Sequence, residues 1–583
     1  MSVVAIIQAR MTSSRFPGKV LRNLAGRPLL WHIVTRVSRA ETVDRVVVAC
    51  STRTEDDAIE TFCRSHGWNC VRGSETDVLA RFRTAAGAFP ADTYVRICGD
   101  SPLVSPEWID RCVHALETAG AGYTRLPAGR TCVHEGVDVL SGVTLQALFT
   151  HAAEDPVARE HVTGYFKTHP DFALAVEVPI LETEERETRL SVDVPEDLEF
   201  FARLYALSGA AVGDLTVPGA LAVLQAHPEV GQINAGVRQR RASERPPAVL
   251  LYGEGGAVMG WGHLSRLSVL ARSLRRAGAD LTFAYEGGAD VAEFLEQEGV
   301  TRLALPHGAD RGEWLARQIS AAHADVVMID TCGRLGADDL RRVRATGVRI
   351  LLLDDVSDRV RFADAVYTPP APQCVTPPDG YTGEWHSGWD CVPLRDGFRT
   401  DFPVADGRTL LVTMGGSDPR NFTLRAVRAL SCIPGIAQWR IRIVLGRSYG
   451  PRAEFERELA GTGLRAEILA GTTEMAAEMA AARAVLLSFG VTAYEGAAVG
   501  RPMACYCLSD DHRRHATIFE RHGLAMVLGD EPGEDAAALH AWLQRLDAPM
   551  DRTPVAALRR GTDHLTAEIL RWARCARPLT HAA

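Results

Sequence analysis

From its first residues almost to its last, this chain repeats one alternation: a short apolar run, then an amphipathic stretch with helical spacing. The runs include Val3–Ile7, Arg45–Ala49, Tyr94–Ile97, Ala248–Tyr252, Val326–Ile329, Ile350–Leu353, Leu410–Thr413, Ile441–Leu445 and Ala484–Leu487. Several are rich in Val and Ile and end at Gly, Asp or Ser. Strands buried on both faces, joined by crossover helices, satisfy this pattern, so the class is α/β with parallel sheets. A length of 583 residues exceeds one ordinary domain and predicts about three to four folding units.

The segment 235–247, AGVRQRRASERPP, is polar, basic and closed by a proline pair. Such a composition suits a linker. We therefore expect a domain over 1–240, a linker over 241–247, a lobe over 248–395 and a second lobe over 396–583, the two lobes facing each other across a cleft. The net charge of −9 argues against a nucleic-acid partner, which would call for a basic domain or stripe. The apolar start is too short for a signal peptide or membrane span, so a cytoplasmic chain is expected. Thirteen cysteines are scattered without a CxxC pair, which predicts buried free thiols rather than a zinc site or disulfides.

The first strand runs into Gln8-Ala9-Arg10-Met11-Thr12-Ser13-Ser14-Arg15-Phe16-Pro17-Gly18-Lys19. A loop there opens at the carboxyl edge of a parallel sheet, where α/β proteins bind ligands. Its small residues let amides approach a phosphate, and Arg10, Arg15 and Lys19 would neutralise it. An exposed basic loop fits the same residues. Asp100 follows the run Tyr94–Ile97, and Asp193 lies in Ser191-Val192-Asp193-Val194-Pro195. Taken singly, each reads better as a helix cap or turn residue; together they offer the hard oxygens that Mg²⁺ prefers.

These residues carry a resemblance. Ile6–Lys19 resembles the start of the spore-coat-polysaccharide type of cytidylyltransferase, relatives of the CMP-sialate and CMP-Kdo synthetases. Ordered blocks follow at Asp56–Ile59, Arg72–Leu79, Arg96–Leu103, Arg159–Thr163 and Asp193–Leu198. The resemblance implies a Rossmann-like nucleotidyltransferase domain that uses CTP and a sugar acid, with a homodimer through this domain as its assembly. Arg10, Arg15 and Lys19 would bind the triphosphate, with Arg10 and Lys19 catalytic. Asp100 and Asp193 would hold Mg²⁺, and Gly73, Ser74 and Asp77 would lie near the base and ribose. Cys98 stands where this group often has Thr.

In the second half, Ala248–Tyr252 leads into a loop, Gly253–Gly262, and then a helix that His263 opens. A histidine at a helix N-terminus is favoured in the neutral form a general base needs; taken alone, it reads better as a residue packing the turn. Met414-Gly415-Gly416-Ser417-Asp418 and Ser488-Phe489-Gly490-Val491-Thr492-Ala493-Tyr494-Glu495 each precede a predicted helix, whose free amides bind diphosphate without a metal. Glu495 fits either a ribose diol or an ordinary first-turn acid.

The order of these motifs resembles the GT-B-like group, which includes the lipid-II-forming N-acetylglucosaminyltransferase and the UDP-sugar hydrolase of the pseudaminic acid pathway. Val326–Asp330, Leu353–Asp355 and Pro393–Phe398 look closer to the hydrolase and its spore-coat relatives. This implies release of UDP from a UDP-linked diacetamido-trideoxy sugar without a cofactor. His263 would be the base, and Gly415, Gly416, Ser417, Ser488, Thr492 and Glu495 would hold UDP. Tyr494 stands where the hydrolase type can place Asn. The alternatives are a GT-B glycosyltransferase in place of the hydrolase, and a non-catalytic sugar-nucleotide binding protein.

Overall fold

The computed structural model describes residues 1–574 apart from 14, 135, 182, 183, 185–187, 236, 238–244, 257–259, 297–300, 332, 373–375, 404, 406, 417, 447, 448, 471, 473 and 531. Met1–Pro246 with Arg276–Gly278 forms one compact unit, and Pro247–Arg275 with Ala279–Ala583 the other. Residues 241–244 of the expected linker lie outside the described residues.

In the first unit, β1 (Val3–Gln8), β2 (Arg45–Ser51), β3 (Asn69–Gly73), β4 (Thr93–Cys98), β5 (Tyr123–Arg125), β6 (Val137–Ser141) and β7 (Ala175–Glu177) form one sheet in the order β3-β2-β1-β4-β6-β5-β7. Strands β1 to β4 are mutually parallel. β6 runs antiparallel to β4 and to β5, so a parallel core carries an antiparallel strand at one side. Arg96 explains how this pairing fits: it points from β4 to Asp138 of β6 at 2.7 Å, a polar partnership that an apolar-run pattern does not register. Helix α1 (Val78–Ala88) covers one face, and α2 (Pro195–Ser208) belongs to the opposite core with Phe200, Phe201 and Leu204.

The second unit holds two parallel sheets. β8 (Ala248–Glu254), β9 (Asp280–Glu286), β10 (Thr301–Ala304), β11 (Val326–Asp330), β12 (Arg349–Leu353), β13 (Ala365–Thr368) and β14 (Glu384–Ser387) lie in the order β10-β9-β8-β11-β12-β13-β14. β15 (Thr409–Thr413), β16 (Arg440–Leu445), β17 (Ala466–Ala470), β18 (Ala484–Ser488), β19 (Met503–Tyr506) and β20 (Ala525–Val527) lie in the order β17-β16-β15-β18-β19-β20. Every pairing in both is parallel. Each of the nine apolar runs read from the sequence lies in a strand.

All three sheets share one topological feature. The first strand of each sits between its second strand and a later one, so the strand order reverses at β1/β4, at β8/β11 and at β15/β18. The crevice outside the carboxyl ends of the strands at such a reversal is where open α/β sheets take ligands. Packing is tight around these edges. A methyl group on Gly446, just past β16, would lie 2.2 Å from the carbonyl oxygens of both Gly415 and Gly416. Gly446→Ala is therefore expected to destabilise the chain by about 1–3 kcal/mol, whereas Gly450→Ala, with open space around it, should be near neutral. Equal unfolding midpoints for the two variants would contradict this packing.

Candidate active sites

At the β1/β4 reversal, the loop after β1 carries the basic residues and the end of β4 carries an acid. Gly18, in a left-handed turn with φ 72°, brings its amide back to the Met11 carbonyl at 2.7 Å and turns Lys19 inward. Lys19 Nζ then donates to Asp100 Oδ2 at 3.2 Å, to Asp193 Oδ1 at 3.0 Å and to the Val192 carbonyl at 2.7 Å. The Val192 amide donates to the Asp100 carbonyl at 2.7 Å, which fastens the distant Asp193 segment to the strand end. Arg15 Nη2 lies 2.8 Å from Asp193 Oδ2. Four sequence-predicted residues, Arg15, Lys19, Asp100 and Asp193, are thus one cluster.

Burial opposes the charge on Lys19, and Asp100 and Asp193 outweigh it, so the ammonium is held above the ordinary lysine value. Burial likewise works against the Asp193 charge, but Lys19, Arg15 and Arg189 hold its carboxyl well below the usual range. Arg189 and Asp197 were missed by sequence reasoning. Arg189 bridges Asp193 and Asp197 at 2.8 Å each, and Asp197 accepts from the Asp193 and Val194 amides at 2.7 and 3.0 Å. Their only signal was nearness to Asp193 in the sequence.

The other predicted residues form a neighbouring branch. Arg10 Nη1 reaches toward Glu75 Oε1 at 4.0 Å, and Thr12 donates to the same oxygen. Glu75 belongs to the turn containing Gly73, Ser74 and Asp77. There Ser74 Oγ accepts from the Asp77 amide at 3.1 Å, and Asp77 caps α1 by accepting from Ala80 N at 2.7 Å. Asp77 also pairs with Arg159 at 3.1 Å. Its side chain is therefore a cap and an ion-pair partner. Gln8, which the sequence did not single out, ends β1 with a buried carbonyl oxygen that has no hydrogen-bond partner among the described residues.

At the β8/β11 reversal, helix α3 (Gly262–Arg276) begins beside the strand ends, with His263 as its second residue. His263 Nδ1 lies 2.6 Å from Asp330 Oδ1. Asp330 ends β11 and is 0% exposed, whereas the His263 side chain keeps 23%. Arg266, one turn along, grips Asp330 through Nε at 2.9 Å and Nη2 at 2.8 Å, and reaches Asp354 through Nη1 at 2.6 Å. Burial opposes the Asp354 charge, and Arg266 overcomes it and keeps that carboxyl low. With the Asp330 carboxylate against Nδ1, the ring carries its proton there and presents Nε2 as an acceptor. Asp330, Arg266 and Asp354 were visible only as parts of motif blocks; an acid ending an otherwise apolar strand was the available signal.

The third edge faces this one within the same unit. A methyl group on Gly416 would lie 3.2 Å from Trp261 Cδ1, and one on Gly262 would lie 3.9 Å from Val491 Cγ2. The loop that leads to His263 thus abuts both small-residue loops of the second lobe. Gly415 lies against Ser488, with 3.8 Å from a Gly415 methyl to Ser488 Oγ; Ser417 lies outside the described residues. Helix α4 (Phe422–Ser431), which follows the Gly415-Gly416 loop, is already capped. Asp418 accepts from Phe422 N at 2.7 Å and Thr423 N at 2.8 Å. The expectation that both helix ends offer free amides is corrected here: a carboxylate occupies this one. Helix α5 (Val491–Val499) follows Gly490 with no side-chain cap, and Thr492 lies in its first turn. Glu495 is buried on α5 and receives Arg395 through Nε at 2.8 Å and Nη2 at 2.7 Å. Burial pushes its carboxyl up, against Arg395.

Among the described residues no helix is long and apolar enough to cross a membrane. Charged and small-residue clusters at the carboxyl edges of its sheets, one pairing cations with two carboxylates, mark an α/β protein with parallel-sheet domains. The family model described as cytidylyltransferase matches residues 4–217. Spore coat polysaccharide biosynthesis protein SpsF of Bacillus subtilis is 36% identical over 218 residues, 36% of this chain and 88% of that protein. Through this region the chain belongs to the cytidylyltransferase family. Protein SpsG of the same bacterium is 25% identical over 299 residues, 48% of this chain and 83% of that protein, a longer share than the first unit contains. Among solved structures, MurG of Acinetobacter baumannii is similar at 16% identity, with 56% of this chain and 100% of that one covered and a TM-score of 0.42.

Because Asp193 titrates lower in the folded chain than in the unfolded one, its stabilisation is complete above 3.8 and is lost as pH falls through the folded value. Asp193→Asn should cost on the order of 3 kcal/mol at neutral pH and progressively less below pH 3.8, by urea unfolding. A cost that does not change with pH would contradict the cation cage.

Proposed function

We propose that this chain makes and uses nucleotide-activated sugars at two sites: cytidylyl transfer from CTP to a sugar acid in the first unit, and glycosyl transfer from a UDP-sugar in the second. The observation that supports the first most directly is Lys19 held between Asp100 and Asp193. The sugar hydroxyl would attack the α-phosphorus of CTP, the bond to the bridging oxygen would break and pyrophosphate would leave. Arg10, Arg15 and Lys19 would hold the phosphates, and much of the rate would come from positioning and charge neutralisation. Asp100 and Asp193 offer the hard oxygens that Mg²⁺ takes; once Lys19, which bridges them here, turns to the phosphates, they would hold that ion. When bound, it would relieve charge on the triphosphate. Gly73, Ser74 and Asp77 would line the base and ribose end.

In the second unit, His263 Nε2 would take the proton of an acceptor hydroxyl as that oxygen forms its bond to the anomeric carbon of the sugar. The bond from the anomeric carbon to the diphosphate oxygen would break and UDP would leave onto the Gly415-Gly416 loop and the uncapped start of α5, between Ser488 and Thr492. Glu495, held by Arg395, would face the ribose. The SpsG relative is named for polysaccharide biosynthesis, which requires glycosidic bonds to be formed. That supports transfer over the hydrolysis expected from the motifs.

Three measurements test this. Asp100→Asn should lower CTP-dependent pyrophosphate release by at least about 100-fold and leave UDP release unchanged; joint loss would refute separate sites. Asp330→Asn should lower turnover of the UDP-sugar reaction by roughly 10²–10⁴ with little change in KM; unchanged turnover removes the His263–Asp330 pair from the mechanism. With a UDP-sugar and an added acceptor, mass spectrometry should detect a glycoside, whereas free sugar regardless of acceptor would establish hydrolysis instead.

A further inference from the structure

Away from both sites, the second unit brings Asp390, Cys391 and His564 together, with one ligand atom from each within 4.8 Å of the other two. Asp390 and Cys391 lie in a short helical turn, Trp389–Cys391, on the segment that leaves β14 for the second lobe. His564 comes from α6 (Thr553–Arg574), far along the chain. Cys391 is buried, and its thiol points to Asp390 Oδ1 at 4.0 Å. Among the described residues, none of the three side chains makes an ion pair with a basic residue.

A second mixed cluster close by shows the contrast. Glu384, His386 and Glu568 also converge, but Arg571 lies on both carboxylates, at 2.5 Å from Glu384 and 2.6 Å from Glu568. That cluster already has its counter-charge. The Asp390–Cys391–His564 set does not, and it is chemically different: a sulfur, an imidazole nitrogen and a carboxylate oxygen. Mg²⁺ and Ca²⁺ prefer oxygen donors, whereas a thiolate with an imidazole selects a borderline-soft ion such as Zn²⁺.

We propose that Asp390, Cys391 and His564 form a binding site for a zinc-class divalent ion, completed by a fourth, water ligand. At ordinary zinc bond lengths a tetrahedral ion holds its donors roughly 3.5 Å apart. Closing the set therefore takes side-chain adjustments on the order of 1 Å. The ion would enter by displacing the Cys391 thiol proton to solvent. Cysteine spacing shows nothing of this site, because only one of its ligands is a cysteine and its imidazole comes from the last helix.

The location assigns the ion a structural role. Thr562 Oγ1 accepts from Leu394 N at 2.9 Å and donates to the Leu394 carbonyl at 2.8 Å, so α6 already clasps the inter-lobe segment. On the same segment, Trp389 packs edge-on against Tyr494 of α5 and Arg395 holds Glu495. An ion between Cys391 and His564 would brace the stretch that sets α5.

The test uses the full chain stripped of metal and titrated with Co²⁺. One equivalent should produce a thiolate-to-cobalt charge-transfer absorption, which Zn²⁺ should quench by displacement. Cys391→Ser should abolish the band, and His564→Ala should weaken Co²⁺ binding at least tenfold. Asp100→Asn should leave the thiolate-to-cobalt band unchanged, since a carboxylate site gives no such band. Zn²⁺ should raise the thermal midpoint of the wild-type chain and not of Cys391→Ser. The absence of a stoichiometric band in the wild-type chain, or a band that survives in Cys391→Ser, would overturn the proposal.

Discussion

Buried and half-buried carboxylates near the carboxyl edges of the sheets, each gripped by a basic side chain from another stretch of chain, are the interaction on which this architecture depends. Asp100 and Asp193 share Lys19, Asp330 is held by His263 and Arg266, and Glu495 by Arg395. A carboxylate left alone at such a position would incur several kcal/mol of desolvation. The pairing removes most of that cost and orients both partners before any ligand arrives. Each pair also ties a loop or helix to a strand end, so the charge pairing that makes burial tolerable positions the site.

The three sheets apply one geometric rule. In each, the first strand enters a loop of small or basic residues, and a later strand beside it ends at the same edge with a polar side chain: Cys98 leading to Asp100, Asp330, and Ser488. The first unit departs from the others where β6 turns antiparallel, on the far side of β4 from the loop. The reversal at β1/β4 is untouched, so the cation loop keeps its place.

Much of this was legible in the sequence. The nine apolar runs are strands because a doubly covered strand needs continuous Val, Ile and Leu and has little tolerance for anything else. Arg15, Lys19, Asp100 and Asp193 were legible because a cation loop at a strand end and acids with a proline close behind are local patterns. His263 was legible as a helix start. What escaped was mostly non-local: the Arg266 bridge from Asp330 to Asp354 and Arg395 on Glu495 need two segments far apart in sequence to meet, which no window along the chain contains. Arg189 and Asp197 are near neighbours in sequence, but only the folded turn brings their side chains together. The Asp418 cap was a different error. Its side chain lies in the motif read as ligand-binding, and the nearer amides of α4 claimed it.

On the proposed function, two nucleotide sites built on separate sheets operate in one polypeptide. Calorimetric titration of the intact chain measures this directly. With Mg²⁺ present, CTP should bind one site and UDP another, with heats that add and with neither nucleotide shifting the affinity of the other. If CTP and UDP displace each other from a single site, the account of two independent strand-end pockets is wrong.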